Sequence, residues 1–374
     1  MKLTIESSDL KTLIKRAAAS VTPKSPMAIL TMVKLEATSD GQLAVTGSNL
    51  ETTVSTSADA DNADDAHWSC CVSAEKLKAI GSALPAGKQV TLSLSDKSLS
   101  VSCERSRWRL SHVPGDDYPQ PNNAATRRSG EPDPVAFKSA LERVVACAAV
   151  DDVRFFLNGV LLDIDEDGMA TAVATDGHRA GTHKIPTPVI AAGDATKAII
   201  PLATVKMLIA ALEPQDTRLT LSEGAVELAQ PGYRLHSRLV EGSYPEWQRV
   251  FPSEAERPGM ARFDRKALLG AVSNVALLSE KHGRVTLDLS AQDVATISAH
   301  DKDHDDGRDE AQMLDHQPAN GSQQIAVNGA YLYEILRSSP CDEVTLRYGN
   351  DAQQSLVITD EDERTTWILM PIRV

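Results

Sequence analysis

Aromatic side chains make up only 4% of the 374 residues, too few to line a large ring-walled pocket for a bulky cofactor. Ala, Val, Leu and Ile must therefore build the interior from modest helices and strands. Cysteine is also sparse. Cys70, Cys71, Cys103, Cys147 and Cys341 are odd in number, have no C-x-x-C spacing and include an adjacent pair, so they read as reduced thiols. No uncharged apolar run approaches the roughly 20 residues of a membrane span, and Glu6 and Asp9 sit where a signal peptide would be apolar. The expectation is a cytoplasmic chain, neither exported nor inserted. Basic residues are in the minority, 38 Lys and Arg against 52 Asp and Glu for a net charge of −14. That excludes non-specific adhesion to nucleic acid over the whole surface and leaves room for a local basic patch.

The motifs of bond-making chemistry are missing as well. Gly81 to Gly87-Lys88-Gln89 approaches a phosphate-binding loop but has one residue too many and no hydroxyl for Mg²⁺. The run from Asp163 to Gly168 starts like a calcium loop, yet its twelfth position is Ala174 in place of a bidentate glutamate, so it reads as a β-turn. The stretch from His300 to Gly307 is rich in His and Asp but has no zinc-like spacing, and reads as a solvated loop. There is no H-E-x-x-H, no G-x-S-x-G and no local Cys–His signature. A non-enzymatic chain with no metal and no cofactor is expected.

What is present is a repeat. The segment 9–17 resembles 136–144 and 264–272, with lysines at Lys11, Lys138 and Lys266. A second set, 72–80, 200–208 and 327–335, runs on to Pro85, Pro214 and Pro340. Tyr118-Pro119 and Tyr244-Pro245 recur at the same interval. Both sets carry apolar residues at helical spacing, as Leu77, Ile80 and Leu84 do, whereas 90–94, 219–221 and 344–346 alternate with period two as half-buried antiparallel strands do. The fold class is therefore α+β, three tandem units of two helices and short strands each. Proline-broken polar connectors at 120–134 and 251–260 set the boundaries, giving domains 1–125, 126–256 and 257–374.

Charge divides along the same lines. The helical windows 9–20, 73–84, 134–149, 201–212, 261–275 and 328–338 hold twelve basic and five acidic residues, so they are positive against a strongly negative remainder. Lys and Arg on solvated helix faces would produce this pattern. So would helices gathered on one side to follow phosphates, and the threefold repetition favours that second reading.

The segments 152–159 and 174–179 read as a strand, a turn and a second strand, with Asp176-Gly177 a favoured hairpin pair. Asp176 and His178 are candidates for an acid/base pair, or the polar side chains hold a structural hairpin, which the absence of a nearby nucleophile favours. A third reading fits better. The runs Asp152-Val153-Arg154-Phe155-Phe156-Leu157-Asn158-Gly159 and Ala174-Thr175-Asp176-Gly177-His178-Arg179 resemble the bacterial DNA polymerase sliding clamp family, the beta subunits of replicative polymerases. So do Tyr244-Pro245-Glu246-Trp247-Gln248-Arg249-Val250 and the ending Leu369-Met370-Pro371-Ile372-Arg373-Val374.

That resemblance implies a ring-shaped homodimer closed head to tail. Helices would line a hole around double-stranded DNA, bound without sequence readout, and antiparallel sheets would lie outside. It implies an interface built by Arg105, Arg107 and Trp108 against Leu277, Leu278 and the acidic stretch 301–310. It also implies a groove that takes short peptides with a glutamine and apolar anchors. The partners would be the replicative polymerase catalytic subunit, the clamp loader, translesion polymerases, mismatch-repair proteins and ligase. Matching groove positions are Arg154, Leu157, Thr175, Gly177, His178, Arg179, Ala180, Pro245, Arg249, Val250, Asn328, Tyr331, Ser355, Ile368, Leu369, Met370, Pro371, Ile372 and Arg373. Ala180 stands where the family usually has leucine, which implies a wider pocket. Lys24, Phe155 and Phe156 match DNA-contact positions, the two phenylalanines replacing an aromatic pair that is often tyrosine. Leu202 and Ala203 replace basic residues, leaving lining charge there to Lys206. The implied role is a nucleoid-associated processivity factor in the cytoplasm; a peptide-binding repeat scaffold that ignores DNA is the alternative.

Overall fold

The computed structural model describes residues 1–62, 66–121, 126–277, 283–300 and 306–372, with the side chains of 126 and 127 set aside. One order of ten elements, strand–helix–four strands–helix–three strands, occurs three times. Six α-helices lie among the described residues: α1 (Ser7–Ala18), α2 (Ala74–Ala83), α3 (Pro134–Val144), α4 (Leu202–Ala211), α5 (Arg265–Ala276) and α6 (Gly329–Ser338). All sheet pairings are antiparallel, and the strands alternate in burial, as Met32–Ala37 does. This is the α+β architecture anticipated from the repeat.

Local chemistry explains where the helices begin and end. α1 buries Leu10, Leu13, Ile14 and Ala17 at i, i+3, i+4 and i+7. Ser73, Asp264 and Asn328 cap α2, α5 and α6 by accepting backbone N–H bonds. At the other end of α2, Lys11 Nζ donates to the Leu84 carbonyl at 2.6 Å. Arg265 likewise reaches the end of α6, donating to Leu336 O at 3.3 Å and Cys341 O at 2.6 Å. Part of the positive helix charge is therefore spent on helix ends. Arg262 and Asp264, inside the helical window 261–275, instead belong to the strand Gly259–Asp264.

The chain packs as two compact units, Met1–Pro134 with Ala210–Leu239 and Val135–Ile209 with Val240–Val374. In the first, a four-stranded sheet runs Lys2–Glu6, Gln89–Leu94, Leu99–Cys103, Ser106–Leu110 and leaves Ser106–Leu110 at its edge. The second sheet of that unit joins two repeats, because Thr52–Asp59 pairs with Tyr233–Arg238 (Val54 opposite Leu235). Arg16 of α1 pairs with Glu213 across this seam and lies 5.6 Å over the Tyr233 ring. All five cysteines are free, and burial pushes Cys70 up to about 12 and Cys71 to about 11.

The second unit repeats the device. Arg179–Lys184 pairs with Thr365–Leu369, Gly181 opposite Trp367. Arg143 of α3 occupies the repeat position of Arg16 and is fully sequestered there. It donates to Asp360 Oδ2 at 2.6 Å, Thr365 Oγ1 at 2.9 Å and Asp362 Oδ2 at 3.2 Å, while Ser339 Oγ donates to Asp360 at 2.5 Å. Arg143 is one of the twelve helix-window cations, but burial removes it from any phosphate-facing set.

His183 lies in the same node, its Nδ1 2.8 Å from the Thr365 hydroxyl. Thr365 Oγ1 already accepts from Arg143, so its proton is free for the ring nitrogen, and a neutral imidazole fits. Burial, with Arg143 adding to it, lowers His183 from 6.5 to about 4. Because the folded value lies below the unfolded one, stability is fully present above pH 6.5 and declines as the pH falls toward 4. The loss is about 3 kcal/mol. Denaturant unfolding across that window should show the decline, and His183→Gln should flatten it; an unchanged slope in the variant would remove His183 as its cause.

Candidate peptide groove and nucleic-acid interface

All the positions that the resemblance gives to a groove fall in the second unit, on three stretches that would form its walls. The first is the stretch 152–158, which folds as a clasp: Asp152 N–H donates to Asn158 Oδ1 at 3.0 Å and Asn158 Nδ2 returns to Asp152 O at 2.9 Å. A short 3₁₀ turn, Phe155–Leu157, lies inside it where the sequence reads as strand. Arg154 emerges half-exposed, held by both Asp152 oxygens at 3.0 and 2.7 Å, and donates to the Asp176 carbonyl at 3.1 Å. Those bonds hold the Asp152 carboxyl down at about 2.

The second wall is the turn between the strands Ala170–Thr175 and Arg179–Lys184. Gly177 adopts φ +89°, and a Cβ there would come within 3.1 Å of the Arg154 guanidinium, so glycine serves both the turn and the close approach. Asp176 Oδ1 accepts from the His178 and Arg179 amides at 2.8 and 2.9 Å, and Oδ2 accepts from Arg179 Nε at 3.0 Å. With both oxygens committed, Asp176 is a turn-holding residue, which disfavours the acid/base reading. Thr175 Oγ1 donates to the Arg179 carbonyl at 2.7 Å.

The third wall comes from the last repeat. Tyr331 on α6 carries the Arg179 guanidinium 4.1 Å above its ring and stacks against His178, with ring centroids 6.5 Å apart. The chain end lies alongside: Met370 N–H donates to the His178 carbonyl at 2.9 Å and Ile372 N–H to Ala326 O at 2.7 Å. Met370 is 40% exposed and Val250 45%, offering apolar surface, while Leu157, Ala180, Ile368 and Leu369 are buried beneath. Pro245 and Arg249 are exposed, Arg249 paired with Glu246 at 2.6 Å.

Other predicted positions have different immediate tasks. The Asn328 amide caps α6. Ser355 is buried and its hydroxyl accepts from Arg257 at 3.0 Å, a partner the sequence does not suggest. Arg373 and Leu278 lie outside the described residues, as do Asp301 to Asp305. Arg105 is exposed in the turn before the edge strand Ser106–Leu110, on which Arg107 is exposed and Trp108 half-buried; Leu277 is 82% exposed. Lys24 is exposed, Phe155 is 55% exposed, and Phe156 meets it edge-on at 5.9 Å. Among the described residues, no group of His, Cys, Asp and Glu is arranged to hold a metal, and no helix is long and apolar enough to cross a membrane.

Comparison with known proteins fits this architecture. Family models of the DNA polymerase III beta subunit match residues 1–122 (N-terminal domain), 133–246 (central domain) and 248–373 (C-terminal domain). The three repeats are thus those of a sliding clamp, and the chain belongs to the DNA polymerase III beta subunit family. It is 26% identical to the beta sliding clamp of Pseudomonas aeruginosa and 27% to that of Vibrio cholerae, over the full length of each. A crystal structure of the P. aeruginosa sliding clamp bound to griselimycin superposes with a TM-score of 0.89 at 25% identity, covering 100% of both chains.

Proposed function

We propose that two copies of this chain close head to tail into a ring around duplex DNA, hold the replicative polymerase on it, and recruit partners by short peptides bound in the groove. The role is mechanical and non-catalytic. The domains are taken as 1–125, 126–256 and 257–374.

The repeated seam carries this reading. In the first two repeats the fourth strand pairs with the eighth strand of the next: Thr52–Asp59 with Tyr233–Arg238, then Arg179–Lys184 with Thr365–Leu369. Two strands of this pattern lack a seam partner among the described residues. Ser106–Leu110 is the eighth strand of the first repeat, and Asp306–Gln317 is the fourth of the third, its first half paired only with Val294–His300 among the described residues. Such edges invite another strand, and joining them between copies repeats the seam and satisfies both. Arg105, Arg107 and Arg109 on one edge suit Asp306, Asp309 and Glu310 on the other. At the repeat position of Arg16 and Arg143 the third repeat has Ala271. The closing seam therefore lacks the arginine of the other two, which suits a ring that a loader must open.

Lys15, Lys76, Lys78, Lys206, Lys266 and Arg337 are exposed helix cations that suit phosphate contact without base readout. In the groove, exposed Met370 and Val250 suit apolar anchors, and Arg154 suits a backbone carbonyl. Griselimycin bound to the Pseudomonas relative supports a ligand-accepting clamp surface in the family. Met370→Ala is expected to weaken a labelled glutamine-and-leucine peptide at least about tenfold while the dimer persists in sedimentation. Unchanged peptide affinity would remove the groove from the proposal.

A further inference from the structure

Among the described residues, Arg179 is the one guanidinium of the proposed groove that is almost wholly covered, 9% exposed, and two carboxylates hold it. Asp176 belongs to its own turn. Glu334 reaches it from α6, its Oε2 accepting from Arg179 Nη1 at 2.6 Å. Tyr331 and Glu334 are three residues apart on that helix and so share a face. A single helical turn therefore delivers a ring beneath the guanidinium, 4.1 Å from its carbon, and a carboxylate to its end. His178 stacks against the same ring, with centroids 6.5 Å apart, and accepts the Met370 amide through its carbonyl. The contacts Glu334–Arg179–Tyr331–His178–Met370 thus run unbroken from α6 through the turn to the chain end.

We infer that Glu334 is a positioning residue of the groove: it locks Arg179 onto Tyr331 and so sets the distance between the α6 wall and the 175–179 turn. This rests on the peptide reading above. Glu334 acts through Arg179 and Tyr331, and Arg154, held by Asp152, is independent of it. Because Asp176 still neutralises Arg179 when Glu334 is removed, and the Glu334 side chain is 51% exposed, fold stability should change little while the ring loses its restraint.

The test is fluorescence anisotropy with a fluorescein-labelled peptide carrying one glutamine and two leucine anchors, on the full-length protein. Glu334→Ala should weaken binding about three- to fivefold with an unchanged thermal midpoint, Glu334→Gln less, since it keeps a hydrogen bond and loses the charge. In a Tyr331→Ala background, Glu334→Ala should have no further effect, because the restraint it imposes is already gone. Wild-type affinity in Glu334→Ala overturns the inference, as does a full additive loss in the double variant, which would make Glu334 a direct peptide contact. If the wild-type protein itself fails to bind, or Met370→Ala binds as well as wild type, the groove reading falls and this inference falls with it.

Discussion

Arg143→Ala is expected to lower the free energy of the first urea unfolding transition by about 3–5 kcal/mol, among the largest single effects in the chain. The Arg143 side chain is 4% exposed and that of Asp360 is fully buried, so truncation leaves a carboxylate without its counter-charge in a site closed to water. Thr365 loses its guanidinium partner in the same step, and Asp362 keeps only Arg364. The origin of the loss is checked by a second variant. Replacing Arg143 by Met together with Asp360 by Leu removes both charges at once, and should recover a large part of the stability because no unpaired ion remains. Equal losses in the single and double variants would mean that packing, not charge, holds the seam.

Reversing charge at the proposed closing edge should have the second large effect. Arg107→Glu places an acid on the exposed strand Ser106–Leu110, where the copy's Asp306–Gln317 would bring Asp309 and Glu310. Like charges facing each other across a strand pair oppose it, and desolvation adds to the cost, so the dimer dissociation constant should rise about a hundredfold or more. Glu310→Arg in the same chain restores opposite signs and should restore the dimer in sedimentation equilibrium. Neither edge residue belongs to an observed seam, so each unit should unfold as before. A variant that stays dimeric would move the interface elsewhere.

The threefold order was legible because it rests on short-range chemistry: apolar residues at helical spacing, period-two alternation in the strands, and proline-broken connectors. What could not be read was long-range pairing. Arg143 meets Asp360 across 217 positions and Arg179 meets Glu334 across 155, and no local pattern distinguishes these arginines from the solvated ones around them. The same limit hid Arg257 behind Ser355. The segment 152–159 reads as a strand in sequence, but the reciprocal Asp152–Asn158 bonds close the chain into a clasp that a local reading does not foresee. The groove residues themselves were found through resemblance to a family, whereas their charge partners, Asp152 and Glu334, needed the geometry.

The central claim is topological, and a circular DNA tests it most directly. The protein is loaded on a nicked plasmid with a bacterial clamp loader and ATP, separated from free protein, and the circle is then cut once. The account predicts retention on the intact circle and release on linearisation, because nothing but closure around the duplex holds a chain with a net charge of −14 on DNA through rinsing at moderate salt. Retention that is the same before and after the cut would contradict it.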